Sequence, residues 1–259
     1  MIKEFRSVNK AVHYISFSRN FGKEAAMYAG LQAATGDYVA VMDADLQDPP
    51  SLLPRFFDIL ERNEYECVAA RRTDRKGESI IKSFLANRFY QLINHISKTN
   101  IVPGVRDYRM MNRQMLNAVL SLQEYNRFSK GIFSWVGFRT KYLSYSNVKR
   151  SSGKSGWSIF SLFKYATDAI VDFSQAPLSL ATWIGGLTSF FAIIGIIIVI
   201  IRHLVSPDGS AFGWSSLVCI ILFIGGIQLF CLGIVGRYIA NIYMQIKNRP
   251  LFIIRSQSH

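Results

Sequence analysis

Cysteine is scarce in this chain, with three among 259 residues. Cys219 and Cys231 fall in an apolar run and Cys67 in a short apolar segment, so no disulfide framework and no zinc-ligand spacing can be drawn. Acidic residues are few as well, 17 against 30 lysines and arginines, for a formal net charge of +13. Beside apolar runs of the kind described next, such an excess is read as attraction to anionic lipid headgroups, and nucleic acid is not expected as a partner. The opening stretch Met1 to Lys10 is polar and charged with no apolar core behind it, so no cleavable secretory signal is expected. No internal repeat and no low-complexity segment is evident.

Charge itself is what the last third lacks. Thr182 to Ile201 and Trp214 to Val235 carry none, and each is long enough to cross a hydrocarbon core of about 30 Å. A buried helical pair in a soluble protein is the alternative; two uncharged runs of spanning length in so short a chain favour a transmembrane hairpin. The link between them offers Arg202 against Asp208, whereas Arg237, Lys247, Arg249 and Arg255 follow the second run. That asymmetry predicts a multi-pass protein of the cytoplasmic membrane with both ends cytoplasmic. Just before the hairpin, Ile159, Phe160, Leu162, Phe163, Ala166, Ile170 and Phe173 recur at helical spacing. Such a helix either lies along the membrane interface or packs on the preceding domain.

Ahead of that helix, strand and helix patterns alternate, which indicates an α/β domain on a mainly parallel sheet. His13 to Phe17, Tyr38 to Met42 and Cys67 to Ala70 read as strands. Lys23 to Ala34, Ser51 to about Arg62, Ser79 to Ser97 and Gln114 to Leu122 read as helices. Asp107 to Met111 is a further strand candidate, and Arg139 to Ser146 an edge strand. The expected divisions are residues 1–156 for the α/β domain, 157–177 for the amphipathic helix, 178–236 for the hairpin and 237–259 for a tail. The most telling residues are Asp43-Ala44-Asp45, directly after the valine-rich run Tyr38 to Met42. Open α/β sheets bind ligands at the carboxyl ends of their strands. Two hard oxygen ligands there suit Mg²⁺ or Mn²⁺ on a nucleotide's phosphates; two solvated acids in a surface turn are the alternative.

Ser16-Phe17-Ser18-Arg19-Asn20-Phe21-Gly22-Lys23-Glu24, followed by Met42-Asp43-Ala44-Asp45-Leu46-Gln47-Asp48-Pro49-Pro50, resembles the polyprenyl-phosphate glycosyltransferases of glycosyltransferase family 2. The bactoprenol glucosyltransferases, relatives of dolichyl-phosphate mannose synthase, are the subgroup it is most similar to. Gly104 to Met111, Asn126-Arg127-Phe128 with Gly131, Gly153-Lys154-Ser155 and the hairpin agree with the same resemblance. It implies a GT-A (Rossmann-like) nucleotide-sugar domain, a nucleotide-sugar donor, a polyprenyl phosphate acceptor, a divalent cation and an oligomer-forming membrane anchor. Family members normally open with a strand carrying a Val-Ile-Pro-x-x-Asn-Glu type motif and a second ending in Asp-Asp-Gly-Ser. Neither occurs here, so the resemblance implies an amino-terminally truncated domain, from a start assigned too far downstream or a shortened gene product. A remnant that only binds a partner is the rival expectation. A processive polysaccharide synthase is disfavoured, since no Gln-x-x-Arg-Trp segment is found.

The resemblance also distributes roles. Asp43 and Asp45 would hold Mg²⁺ or Mn²⁺, Asp45 more directly, with Gln47 orienting metal or diphosphate. Asp107 would take the catalytic base position facing the acceptor, or serve only as an ion-pair partner of Arg106 or Arg109. Arg19, Asn20, Gly22 and Lys154 would contact the nucleotide-sugar, while Arg71, Arg72, Lys82 and Arg127 would meet the acceptor phosphate. Lys23 either joins those nucleotide contacts or is a surface lysine in the first turn of its helix, and Asp48 reads as the cap of the helix near Ser51. The implied reaction is inverting transfer of a sugar, glucose by subgroup, from a UDP-sugar; GDP-mannose is the alternative donor.

Overall fold

A computed structural model describes residues 2–44, 47–72, 88, 91–96, 102–145, 167–168, 170–172, 174–205 and 214–258. Two compact units emerge, Met1–Phe173 with Lys247–His259, and Ser174–Ile246.

The first unit is built on a four-stranded sheet. Its strands are β2 (Tyr38–Val41), β3 (Cys67–Arg72), β4 (Val105–Asn112) and β5 (Thr140–Tyr145), in the order β2-β4-β3-β5. β5 runs parallel to β3 at the edge, but β4 is antiparallel to both its neighbours. The expected mainly parallel sheet is therefore mixed: β2, β3 and β5 share one direction and β4 is inserted against it. Side chains alternate between the faces of a strand, and both faces are covered. Val39, Cys67 and Met111 pack with Leu31, Met115, Leu116, Val119, Ile132 and Phe133 on one face. The helices behind that face are α2 (Lys23–Ala33), α4 (Arg113–Ser121) and α5 (Ser129–Trp135). On the other face Val68, Ala70, Tyr108, Leu143 and Tyr145 pack with Phe56 and Leu60 of α3 (Leu53–Glu61). α4 starts on a side-chain cap, the Asn112 side chain accepting from the Met115 amide at 3.0 Å, which satisfies one orphan donor of the first turn.

Two elements have no counterpart in the sequence reading besides the short helix α5: α1 (Ile2–Val8) and β6 (Ile254–Gln257). β6 pairs antiparallel with β1 (Ile15–Phe17), so residues 247–259 form part of the first unit rather than a separate tail. Ring stacking of Phe17 on Phe252 at 5.0 Å and the Ser18 amide donating to Ile253 O at 2.9 Å extend the pairing.

The second unit holds α6 (Ala176–Val205) and α7 (Trp214–Ile246), of 30 and 33 residues. At 1.5 Å per residue they are about 45 and 50 Å long. Ala176–Gly195 and Phe223–Ile246 each have a mean hydropathy of 1.6 and expose most of their apolar side chains. Both helices are long and apolar enough to cross a membrane. The stretches differ from the uncharged runs chosen above because the helices extend past them; Arg237 lies inside Phe223–Ile246.

Candidate active site

The inserted strand creates the site. Val41 pairs with Arg109, so two more residues along each strand bring Asp43 opposite Asp107. Antiparallel insertion thus sets the amino end of β4 against the carboxyl end of β2, the ligand-binding edge of such sheets. Parity adds the second constraint. Val39 and Met111 face α2, so Asp43 and Asp107, in phase with them, point the same way. Helix α2 begins there, after Gly22, whose φ of 92° is one that side-chain-bearing residues seldom adopt. The Gly22 amide donates to the Asn20 side-chain oxygen at 2.8 Å, tightening the turn.

Lys23, in the first turn of α2, lies between the two carboxylates. Its ammonium is 3.0 Å from an Asp43 oxygen and 2.7 Å from Asp107 Oδ2. A lysine at a helix amino terminus opposes the helix dipole, and the two acids offset that cost. Burial would lower the Lys23 pKa, but Asp107 and Asp43 together hold it above the ordinary lysine value. For Asp107, burial would push the carboxyl up; Lys130, Lys23 and Arg109 outweigh it and keep it below the usual carboxylate range. Asp107 is thus an ionised carboxylate in a cationic surround at neutral pH. Its ion-pair partner is Lys23, with Arg109 adding to the attraction, whereas Arg106, the other partner the sequence allowed, pairs with Asp48.

Arg106 faces the other way and serves the loop after β2. Its guanidinium donates to Gln47 Oε1 at 3.3 Å and stands 3.5 Å from Asp48 Oδ1. Asp48 is 1% exposed and accepts from the Tyr145 hydroxyl at 2.9 Å. It caps no helix: the turn Pro50–Leu52 has no side-chain cap, and the carboxylate instead plugs the base of the loop. Tyr108 donates to Pro49 O at 2.9 Å; burial, and then the charge of Asp48, push its phenol up to about 12. The loop bearing Gln47 is therefore tied to β4 and β5.

Arg71 closes β3 at the same edge, exposed to solvent, and Arg72 follows it as the last strand residue. Asp45, Lys82, Lys154 and the side chain of Arg72 lie outside the described residues. Arg127 is buried and mostly committed to structure. It donates to Val119 O in the last turn of α4 and to Leu122 O just beyond it, and stacks on Tyr28 at 4.4 Å. The structure places it beside Arg19 and Asn20, not beside Arg71, in a cavity of about 580 Å³ that Glu24 also lines. Sequence reasoning missed Lys130 and the bridging place of Lys23, and offered Arg106 and Arg109 only as ion-pair partners of Asp107. The unfavourable placing of a lysine at a helix start was the one available signal for Lys23.

Asp43 and Asp107 already converge on one positive charge, so their oxygens fit a divalent cation in chemistry and in placement. Among the described residues no group of three or more His, Cys, Asp or Glu could hold a metal by itself. Water or phosphate oxygens would complete a coordination sphere of Mg²⁺ type, which few protein ligands normally fill.

Comparison with known proteins gives the chemistry a family. The profile of glycosyl transferase family 2 matches residues 1–120. A Bacillus subtilis (strain 168) protein named as a candidate glycosyltransferase, CsbB, is 44% identical over 254 residues, covering 98% of this chain and 76% of the relative. The chain belongs to glycosyl transferase family 2. It is 39% identical over 245 residues to the SfII prophage-derived bactoprenol glucosyl transferase of Shigella flexneri, covering 95% of this chain and 78% of that one. An uncharacterized glycosyltransferase of Synechocystis, sll0501, is 37% identical over 246 residues, 95% of this chain and 77% of the relative. The family 2 domain is a mixed α/β, Rossmann-like GT-A fold, the protein is a glycosyltransferase, and divalent metal ions are the general cofactors of its family.

Proposed function

We propose that this family 2 glycosyltransferase transfers a sugar, glucose first among candidates, from a UDP-sugar to the phosphate of a polyprenol such as undecaprenyl phosphate, with inversion. The observation that carries the reading is the convergence of Asp43 and Asp107 on one cation at the strand edge. Similarity to relatives named bactoprenol glucosyl transferase supports the acceptor. Asp43 and Asp45 would hold Mg²⁺ or Mn²⁺. When bound, that ion neutralises charge building on the departing diphosphate.

The protein's own residues do the rest. An acceptor phosphate is ionised near neutral pH, so no strong base is needed, and Asp107 orients the attacking group by position. Lys23 and Lys130 offset the repulsion between that carboxylate and an incoming anion. Gln47, held by Arg106, orients the metal or the diphosphate, and Arg19, Asn20, Gly22 and Lys154 attend the donor. Arg71, Arg72 and Lys82 supply cations for the acceptor phosphate, Arg71 and Arg72 from the end of β3. α6 and α7 anchor the protein as a membrane hairpin with both ends cytoplasmic, consistent with the basic residues after the second run, and assist assembly of a homo-oligomer.

The test is transfer of labelled sugar into organic-extractable lipid. Purified protein in detergent receives undecaprenyl phosphate, Mg²⁺ or Mn²⁺, and UDP-glucose, UDP-N-acetylglucosamine or GDP-mannose in turn. UDP-glucose should give a labelled lipid, lost with chelator and in Asp45→Ala. Labelling from GDP-mannose alone would replace the donor, and no labelled lipid from any donor contradicts the reading.

A further inference from the structure

The cavity beside α2 has a wall that no part of the proposed chemistry uses. Three stretches distant in sequence enclose it: the loop from β1 to α2, residues 125–127, and residues 249–253 beyond α7. The last of these is firmly docked. Ile15, Ser16 and Phe17 pair with Gln257, Ser256 and Ile254, and Arg255 donates to Ser18 O at 3.0 Å. The Tyr14 amide donates to the Ser258 hydroxyl at 2.9 Å. These bonds set Arg249 in the lining of the same cavity as Arg19 and Arg127.

Three arginines therefore line the cavity together with a single acid, Glu24. That carboxylate is already satisfied by the amide and hydroxyl of Ser129, and burial keeps its pKa above the ordinary glutamate value. Arg19 is held by its Phe21 neighbour, the guanidinium 4.2 Å from the ring centre. Arg127 is 8% exposed, and its buried Nε has no hydrogen-bond partner among the described residues. An unpaired buried donor costs free energy until something accepts from it. At about 580 Å³ the cavity is of the size that holds small organic ligands, commonly about 300–1,000 Å³. Clustered guanidiniums select phosphate, which they can contact in bidentate fashion.

We propose that Arg249, in the segment after the second apolar helix, joins Arg19 and Arg127 in a binding site for a phosphate ester. The organic part of the ligand occupies the rest of the cavity, against Tyr125 and Phe21. The proposal rests on the transferase reading only for the two phosphate esters at hand, the nucleotide of the donor and the lipid phosphate of the acceptor.

Isothermal titration of the purified full chain in detergent tests it with UDP, undecaprenyl phosphate and inorganic phosphate, each without divalent metal. Arg249→Gln and Arg19→Gln should each weaken one of the two esters by about tenfold, the loss of one charge-assisted contact. Arg249→Lys should recover part of that loss, with unfolding temperatures unchanged. Loss confined to UDP makes this the donor's site and loss confined to the lipid makes it the acceptor's; either supports the proposal. Unchanged affinity for both esters in Arg249→Gln and Arg19→Gln overturns it, as does binding of inorganic phosphate alone. The lipid-labelling assay separates the two claims. Labelled product with ester binding indifferent to Arg249 sinks only this site, and Arg249-dependent ester binding without labelled product sinks only the transferase reading.

Discussion

Asp107→Asn is expected to slow sugar transfer by about 10²- to 10⁴-fold, the usual range for a positioned acid–base or orienting group. The substitution keeps the side chain's size and removes its charge. Lys23 would retain Asp43, so the edge of the sheet should stay assembled. The pH dependence gives a second signature. Asp107 is held below the ordinary carboxylate range, so its charge contributes stability above the unfolded aspartate pKa, near 4. That contribution is lost as pH falls through the lower folded value. In the wild type the Asp107 limb of a pH–rate or pH–stability profile should therefore fall on the acid side of pH 4. The asparagine variant should lack it. A variant with wild-type kcat would place Asp107 outside the site.

Arg106→Met should cost about 3 kcal/mol of stability, the low end of what stranding a buried charge costs. Among the described residues, Asp48, 1% exposed, would keep the Tyr145 hydroxyl alone to balance its charge, while Gln47 would lose the guanidinium that now holds it. Arg106 is itself 19% exposed on its side chain, so water offsets part of the loss. The expected readout is a clear fall in unfolding temperature together with reduced transfer. Asp48→Asn in the same background should restore part of the stability, because a neutral amide no longer requires a cation. A thermal midpoint unchanged in Arg106→Met would show that the loop is held by other contacts.

What the sequence disclosed, it disclosed through local pattern. The valine-rich run ending before Asp43 could be placed as a buried strand with its acids at the ligand edge, and α2, α3 and α4 fell within two residues of their expected bounds. Strand direction could not be read, since alternation of period two is the same in either sense. The antiparallel β4 that sets Asp107 beside Asp43 was therefore invisible from periodicity, although Asp107 itself was named through the family resemblance. Asp48 misled because an acid followed by Pro-Pro-Ser looks like a helix start. Its true partner, Tyr145, is 97 residues away. Ile254–Gln257 is four residues with a single apolar side chain, too little to announce a strand; only its distant partner at residues 15–17 makes it one. The bridging place of Lys23 went unread because the two carboxylates it joins are remote in sequence.

Mn²⁺ binding, followed by the loss of the free-ion electron paramagnetic resonance signal, tests most directly whether Asp43, at the strand edge it shares with Asp107, holds a divalent cation. The wild-type protein should take up one Mn²⁺, more tightly with UDP present, because phosphate oxygens complete the coordination sphere. Asp43→Ala should weaken that uptake by at least about tenfold. Uptake equally tight in wild type and Asp43→Ala would contradict the assignment and leave Lys23 as the cation that Asp43 holds.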